Sequence, residues 1–159
     1  PPPTTSSAAS DVYKRQFKGA GSREFLNHIL AGYVPKPGRL TLTPMLTPKG
    51  KLYGDLTVAC LAEDHFMLFG SGVMQEAHRR WFEKDLPTGI AYVNASDDWH
   101  GIALSGPKSR ELVARITRDD VSAEAFKFRD VRQTFVGGVP VIINRISFSG
   151  ELGLSLIHI

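Results

Sequence analysis

Apolar and polar residues alternate most regularly between Arg39 and Val58. Two alternating runs flank the segment Thr47-Pro48-Lys49-Gly50-Lys51, whose proline and glycine are typical of a turn. The pattern therefore predicts a β-hairpin. If Leu46 lies opposite Leu52, the two-residue period places one apolar set on a single face. That set is Leu40, Leu42, Leu46, Leu52, Leu56 and Val58.

The opposite face of the predicted hairpin is mostly polar and contains Asp55. The other residues predicted there are Arg39, Thr41, Thr43, Met45, Tyr53 and Thr57. A carboxylate in the middle of a strand is uncommon, because aspartate favours turns and helix caps. Two interpretations remain open: an acid that faces water, which the pattern alone favours, and an acid that faces a pocket.

Further along the chain, short apolar stretches with two different periods predict both helices and strands. A helix is predicted from an N-cap at Ser22, and a second after Gly70-Ser71-Gly72, with His78 on its polar face. Strands are predicted at 66–69, 91–93 and 101–104, a helix after Pro107, and a second hairpin turning at Gly137-Gly138. We therefore expect an α+β fold on a largely antiparallel sheet.

Both ends of the chain are predicted to be foreign to the domain. The stretch Asp11-Val12-Tyr13-Lys14-Arg15-Gln16 is encoded by GATGTGTATAAGAGACAG, and the reverse complement of that DNA translates as Leu154-Ser155-Leu156-Ile157-His158-Ile159. One inverted DNA sequence at both ends indicates a translated sequencing adaptor. We therefore expect residues 1–16 and 154–159 to be adaptor-derived and residues 17–153 to be an interior piece of a longer protein.

The composition narrows the function classes without selecting one. The formal charge of +3 falls to +2 when residues 1–16 and 154–159 are left out. The sequence has no basic run with interleaved aromatic residues, so nucleic-acid binding is not predicted. No apolar run is long enough to predict a membrane span. Cys60 is the one cysteine and is predicted to be a small buried hydrophobe. The histidines do not have metal-ligand spacing, so no metal site is predicted.

Three motifs, in order, resemble a known family. They are 49–58 (KGKLYGDLTV), 103–110 (ALSGPKSR) and 145–153 (RISFSGELG). Together they resemble the folate-binding aminomethyltransferase domain of the glycine-cleavage T-protein family, in the version found in FAD-dependent dimethylglycine and sarcosine dehydrogenases. The resemblance covers nearly all of residues 17–153 and implies the T-protein-like fold, here incomplete.

The resemblance also implies a site and a reaction. Asp55, Leu56 and Thr57 match the segment that contacts folate, and Asp55 matches the acid given a proton-transfer role. Phe148 matches a folate-contacting aromatic that is often tyrosine. The implied activity is transfer of a one-carbon unit from an amine-derived iminium to tetrahydrofolate. The implied FAD belongs to a preceding domain of the same chain, which is missing here.

The resemblance leaves some points open. The family's pterin-binding Glu would fall on Ser155, inside the predicted adaptor. One alternative is an autonomous T-protein that acts on a lipoyl-bound aminomethyl group. Leu152 in the Gly-Glu-Leu-Gly sequence argues against it. The other alternative is a non-catalytic folate-binding relative that assists iron–sulfur assembly. The expected location is the cytoplasm for a bacterial source and the mitochondrial matrix for a eukaryotic one.

Overall fold

The computed structural model describes residues 12–147 and 150–158. The elements in chain order are strand β1 (Val12–Lys18), helix α1 (Ser22–Ile29), strands β2 (Arg39–Leu46), β3 (Leu52–Ala62) and β4 (His65–Ser71), a 3-10 turn (Gly72–Met74), helix α2 (Gln75–Lys84), strands β5 (Ala91–Asn94) and β6 (His100–Ser105), helix α3 (Ser109–Ala114), and strands β7 (Val131–Val136), β8 (Val139–Asn144) and β9 (Gly153–His158). Of the helices in these ranges, none combines the length and the apolar character that crossing a membrane requires.

The strands form two antiparallel sheets. The first has the order β2-β3-β4-β1-β5 and the second the order β6-β9-β8-β7. Every named strand pair is antiparallel. The predicted α+β fold with a largely antiparallel sheet is confirmed, except that the strands divide between two sheets.

The first sheet lies between helices α1 and α2 on one side and the second sheet on the other. One face packs against α1 and α2 in a core that includes Phe17, Leu26, Leu56 and Phe82. The other face meets the second sheet through two smaller clusters, formed by Leu40, Ala59 and Val131 and by Met67, Ile142 and Ile157. An Arg39–Asp130 ion pair and a 2.9 Å bond from the Leu40 N–H to the Arg129 carbonyl connect the two sheets at the edge.

The central hairpin has the predicted turn, but its predicted faces are wrong. The Thr47 N–H donates to the Lys51 carbonyl at 2.8 Å, and Leu46 pairs with Leu52. Met45, however, pairs with Gly54, so Tyr53 is an extra residue in β3. This β-bulge reverses the parity of the residues that follow it. As a result Thr41, Thr43 and Met45 are buried, and Leu42, Leu46 and Leu52 are exposed.

Two predictions about single residues have different outcomes. Cys60 is buried and unpaired, as predicted. The prediction that His78 lies on a polar helix face is wrong, because its side chain is 1% exposed. His78 lies three and four residues before Trp81 and Phe82. It therefore shares with them the helix face that packs on the sheet.

The described residues of the two predicted adaptor segments belong to non-edge strands in both sheets. Residues 12–16 belong to β1, between β4 and β5, and residues 154–158 belong to β9, between β6 and β8. Strand pairing does not distinguish residues of the natural domain from adaptor-encoded residues, because any segment with alternating apolar residues can pair in a β-sheet. The adaptor origin of residues 1–16 and 154–159 stays a prediction.

Candidate functional site

Asp55 is an exposed carboxylate in the first half of β3, just before the buried part of the strand. It lies in β3, opposite Pro44 of β2, three residues after the strand begins. In the described part of the chain it makes no ion pair and no hydrogen bond. A carboxylate without protein partners can accept hydrogen bonds from a ligand or bind a cation.

Thr57 shares the face of Asp55, and Leu56 does not. Thr57 pairs with Leu42 on one side and with Phe69 on the other. The Leu56 side chain is fully buried in the helix-side core. On the face of Asp55, the next residues along the strand are Thr57 and then Ala59, which packs against the second sheet. Asp55 and Thr57 therefore lie next to the part of this face that the second sheet covers.

The segment that leads to Phe148 reaches the same face of the first sheet. Ile146 packs against the cluster of Leu40 and Ala59. Phe148 itself lies outside the described residues, so its predicted contact with folate stays a prediction. The position of Gly153 in the third motif has a steric reason. A Cβ there would collide with the Ile146 carbonyl oxygen.

The second and third motifs meet at the start of β9. The Gly106 N–H and the Ser109 hydroxyl both donate to the Leu152 carbonyl, each at 2.9 Å. Gly106 has φ +116°, a conformation that side chains rarely adopt. These contacts give the second motif a structural role in holding the turn before β9.

A hydrogen-bonded histidine lies on the core side of the strand that carries Asp55. The Tyr13 hydroxyl is 2.8 Å from Nδ1 of His78, and Nε2 of His78 is 3.1 Å from the Tyr53 carbonyl oxygen. Burial lowers the pKa of His78, against smaller opposing effects of the Tyr53 carbonyl and the Asp55 charge. Burial also raises the pKa of Tyr13, which therefore remains a phenol. The polar residues of α2 do not predict this network. The spacing of His78, Trp81 and Phe82 at i, i+3 and i+4 is the sequence feature that indicates a shared buried face.

Side chains of the types that ligate metal ions are scattered over the ranges that the structure describes. Within them, no group of three or more His, Cys, Asp or Glu side chains is placed to hold a metal ion.

The sequence profile of the GCVT N-terminal domain matches residues 8–158. The chain belongs to this family. Mitochondrial dimethylglycine dehydrogenase from Homo sapiens is 36% identical over 150 residues, which are 91% of this chain and 17% of that protein. The sarcosine oxidase alpha subunit from Corynebacterium sp. (strain P-1) is 32% identical over 157 residues, 93% of this chain and 16% of that protein.

The fold of this GCVT N-terminal domain is also that of a solved aminomethyltransferase. The glycine cleavage system aminomethyltransferase T from Bartonella henselae superposes with a TM-score of 0.80 at 20% identity, over 94% of this chain and 40% of that one. The predicted relationship to the T-protein family and to dimethylglycine dehydrogenase is therefore confirmed. The chain spans about a sixth of the length of the two long relatives that it matches.

Proposed function

We propose that this GCVT N-terminal domain binds tetrahydrofolate and transfers to it a one-carbon unit released from an N-methylated amine. The observation that carries the proposal is Asp55, an exposed and unpaired carboxylate in a family of aminomethyltransferases and amine dehydrogenases. The higher identity to dimethylglycine dehydrogenase than to the aminomethyltransferase of Halothermothrix orenii, 36% against 29%, favours the dehydrogenase reaction over the T-protein one.

The residues around Asp55 suit a reduced pterin. A carboxylate accepts hydrogen bonds from ring N–H and amino groups, and the Thr57 hydroxyl can donate or accept. The exposed Leu42 side chain, which pairs with Thr57, offers an apolar surface to a flat ring. Bound tetrahydrofolate would supply the nitrogen that takes up the one-carbon unit.

In this proposal Asp55 has two tasks in one position. As a base it removes the proton that the attacking nitrogen must lose, and its negative charge stabilises the iminium cation derived from the amine. Leu56 contributes packing beneath the site, since its side chain is in the core. The FAD that oxidises the amine would be held by another part of the same polypeptide. In a eukaryotic source we propose the mitochondrial matrix as the location, and in a bacterial source the cytoplasm.

The test is Asp55→Asn in the intact enzyme. We expect flavin reduction by the amine to be unchanged, because Asp55 belongs to the folate motif. Methylene-tetrahydrofolate formation should fall by about 10²–10⁴-fold, as expected for the loss of a general base. Released formaldehyde should rise by a matching amount. Asp98→Asn, at another exposed aspartate, is the control and should change neither step. An unchanged yield of methylene-tetrahydrofolate in Asp55→Asn would contradict the proposal.

A further inference from the structure

The bulge at Tyr53 determines which residue of β3 faces the candidate site. Before the bulge Leu46 pairs with Leu52, and after it Met45 pairs with Gly54. Without the extra residue, each later position of β3 would face the opposite side of the sheet. Leu56 would then point away from the helices, and Asp55 would point toward the core.

Helix α2 holds this bulge from the core side. Nε2 of His78 is 3.1 Å from the Tyr53 carbonyl, and the Tyr53 hydroxyl donates to the Ala77 carbonyl at 3.3 Å. The Tyr53 ring packs on Trp81 with 4.8 Å between ring centroids. These contacts fix the backbone and the side chain of the residue that interrupts the pairing of β2 with β3.

The hydrogen bonds assign one tautomer to His78. A carbonyl oxygen only accepts hydrogen bonds, so Nε2 must carry the proton that it donates to Tyr53. In the neutral ring Nδ1 is then an acceptor, which the Tyr13 hydroxyl at 2.8 Å satisfies. Tyr13 lies in the predicted adaptor, but the assignment rests on the Tyr53 carbonyl alone.

Gly54 allows the ring of His78 to approach the strand this closely. A Cβ at Gly54 would lie 2.5 Å from both Cε1 and Nε2 of His78. Real Cβ atoms do not approach other atoms at that distance. Glycine at position 54 and histidine at position 78 therefore form a matched pair across the helix–strand contact.

We propose that His78 is a positioning residue for Asp55: through its Nε2–H bond to the Tyr53 carbonyl it fixes the bulge that turns the Asp55 carboxylate outward. The functional meaning of this role rests on the proposed function of Asp55. His78 does not itself reach the outer face, because it lies beneath Gly54 on the side of the helices.

The experiment measures which way positions 55 and 56 point in the full 159-residue chain. Asp55→Cys and Leu56→Cys are made separately, and each is reacted with a coloured disulfide reagent under native conditions. The unsubstituted chain, with buried Cys60, is the blank. We expect Cys at position 55 to react at least about tenfold faster than Cys at 56, which reacts only through local opening.

Two substitutions at His78 separate positioning from packing. In His78→Leu, which fills space without donating, the ratio of the two rates should fall toward one. In His78→Gln the side-chain N–H is retained at a similar reach, so the ratio should remain high. An unchanged ratio in a cooperatively melting His78→Leu chain would overturn the proposal. So would equal loss of the ratio in both variants.

A measurement on the unsubstituted side chain covers the case in which His78→Leu fails to fold. Nitrogen-15 NMR of the imidazole distinguishes the two neutral tautomers. We expect Nε2–H for His78, and an Nδ1–H tautomer would overturn the proposal. Neither readout involves folate, so failure of the folate assay with Asp55→Asn and failure of the positioning role are separate results.

Discussion

Arg15 is a buried guanidinium that the surrounding structure does not neutralise. Its side chain is 1% exposed and bonds to neutral groups: the Tyr92 hydroxyl at 3.1 Å, the Ser96 hydroxyl at 2.8 Å and the Asn94 side-chain oxygen. Nη2 has no partner, and no carboxylate among the described residues pairs with it. A buried cation without a counterion is costly, because burial removes its hydration.

Arg15→Met should therefore stabilise the chain, by about 1 kcal/mol or more, since the buried charge is replaced by an apolar side chain of similar length. Urea denaturation measures the change. Arg79→Met is the control at a partly exposed arginine paired with Glu76 and Glu83, and it should change stability by less than about 1 kcal/mol. A less stable Arg15→Met chain would mean that the hydrogen bonds of Arg15 outweigh its lost hydration.

His78 predicts a dependence of stability on pH. Burial lowers its pKa below the ordinary value of 6.5, and burial likewise lowers the pKa of His65. Below pH 6.5 the unfolded chain therefore binds protons that the folded chain does not, so stability falls as the pH falls toward the folded-state pKa. Melting curves should show a lower Tm at pH 5.5 than at pH 7.5.

The same melting curves on two variants test the assignment to His78. In His78→Gln the decrease in Tm between the two pH values should be smaller, with the remainder arising from His65. His65→Gln should likewise make the decrease smaller, because burial also lowers the pKa of His65. Identical pH profiles for His78→Gln and the unsubstituted chain would show that His78 titrates alike in both states.

At the scale of elements, the sequence predicts where the hairpin turns but not which way its strands face. Pro48 and Gly50 determine the turn locally, and the strand bounds follow from it. The bulge depends on contacts with α2, which begins more than twenty residues later, so no local pattern contains it. For the same reason the sequence leaves the exposure of Asp55 open and predicts Leu42 on the wrong face.

The helix–strand contact can be tested with one added methyl group. Gly54→Ala should destabilise the chain by about 1–3 kcal/mol, because the new Cβ overlaps the His78 ring and the core there is already full. Gly101→Ala is the control, since a Cβ at that strand glycine meets nothing within 4 Å. Urea denaturation of both variants gives the comparison. Equal stabilities would show that the His78 ring moves aside without cost.

At the scale of the whole molecule, the fold class follows from the interspersed strand and helix patterns, but the division into two sheets does not. Sheet membership depends on pairings such as Ile102 with Leu156, which are distant in sequence. The candidate site follows from its sequence motif and not from residue spacing, because one acid on a strand has no spacing signature of its own. The residues predicted to be foreign, in β1 and β9, are central to both sheets.

The docking of β9 can be tested at one of those residues. Leu156 is 6% exposed, whereas its strand partner Ile102 is 51% exposed. Leu156→Ala should cost about 2–5 kcal/mol and Ile102→Ala at most about 1 kcal/mol, as measured by urea denaturation. A negligible effect of Leu156→Ala would show that β9 does not pack in the second sheet, as expected if an adaptor peptide has replaced the natural strand.

The position of β9 between β6 and β8 also sets an order of assembly during synthesis. Every strand of the first sheet has been made once Asn94 has left the ribosome. Strand β6 follows almost at once, but its partner is the segment Gly153–His158, so its backbone groups remain unpaired while the residues in between are translated. The second sheet is therefore the slow, long-range step, since distant pairings must close a large loop before they gain any contact. Any ribosomal pause before residue 153 would hold the nascent chain with one finished sheet and one exposed edge, the state most open to chaperones and to aggregation.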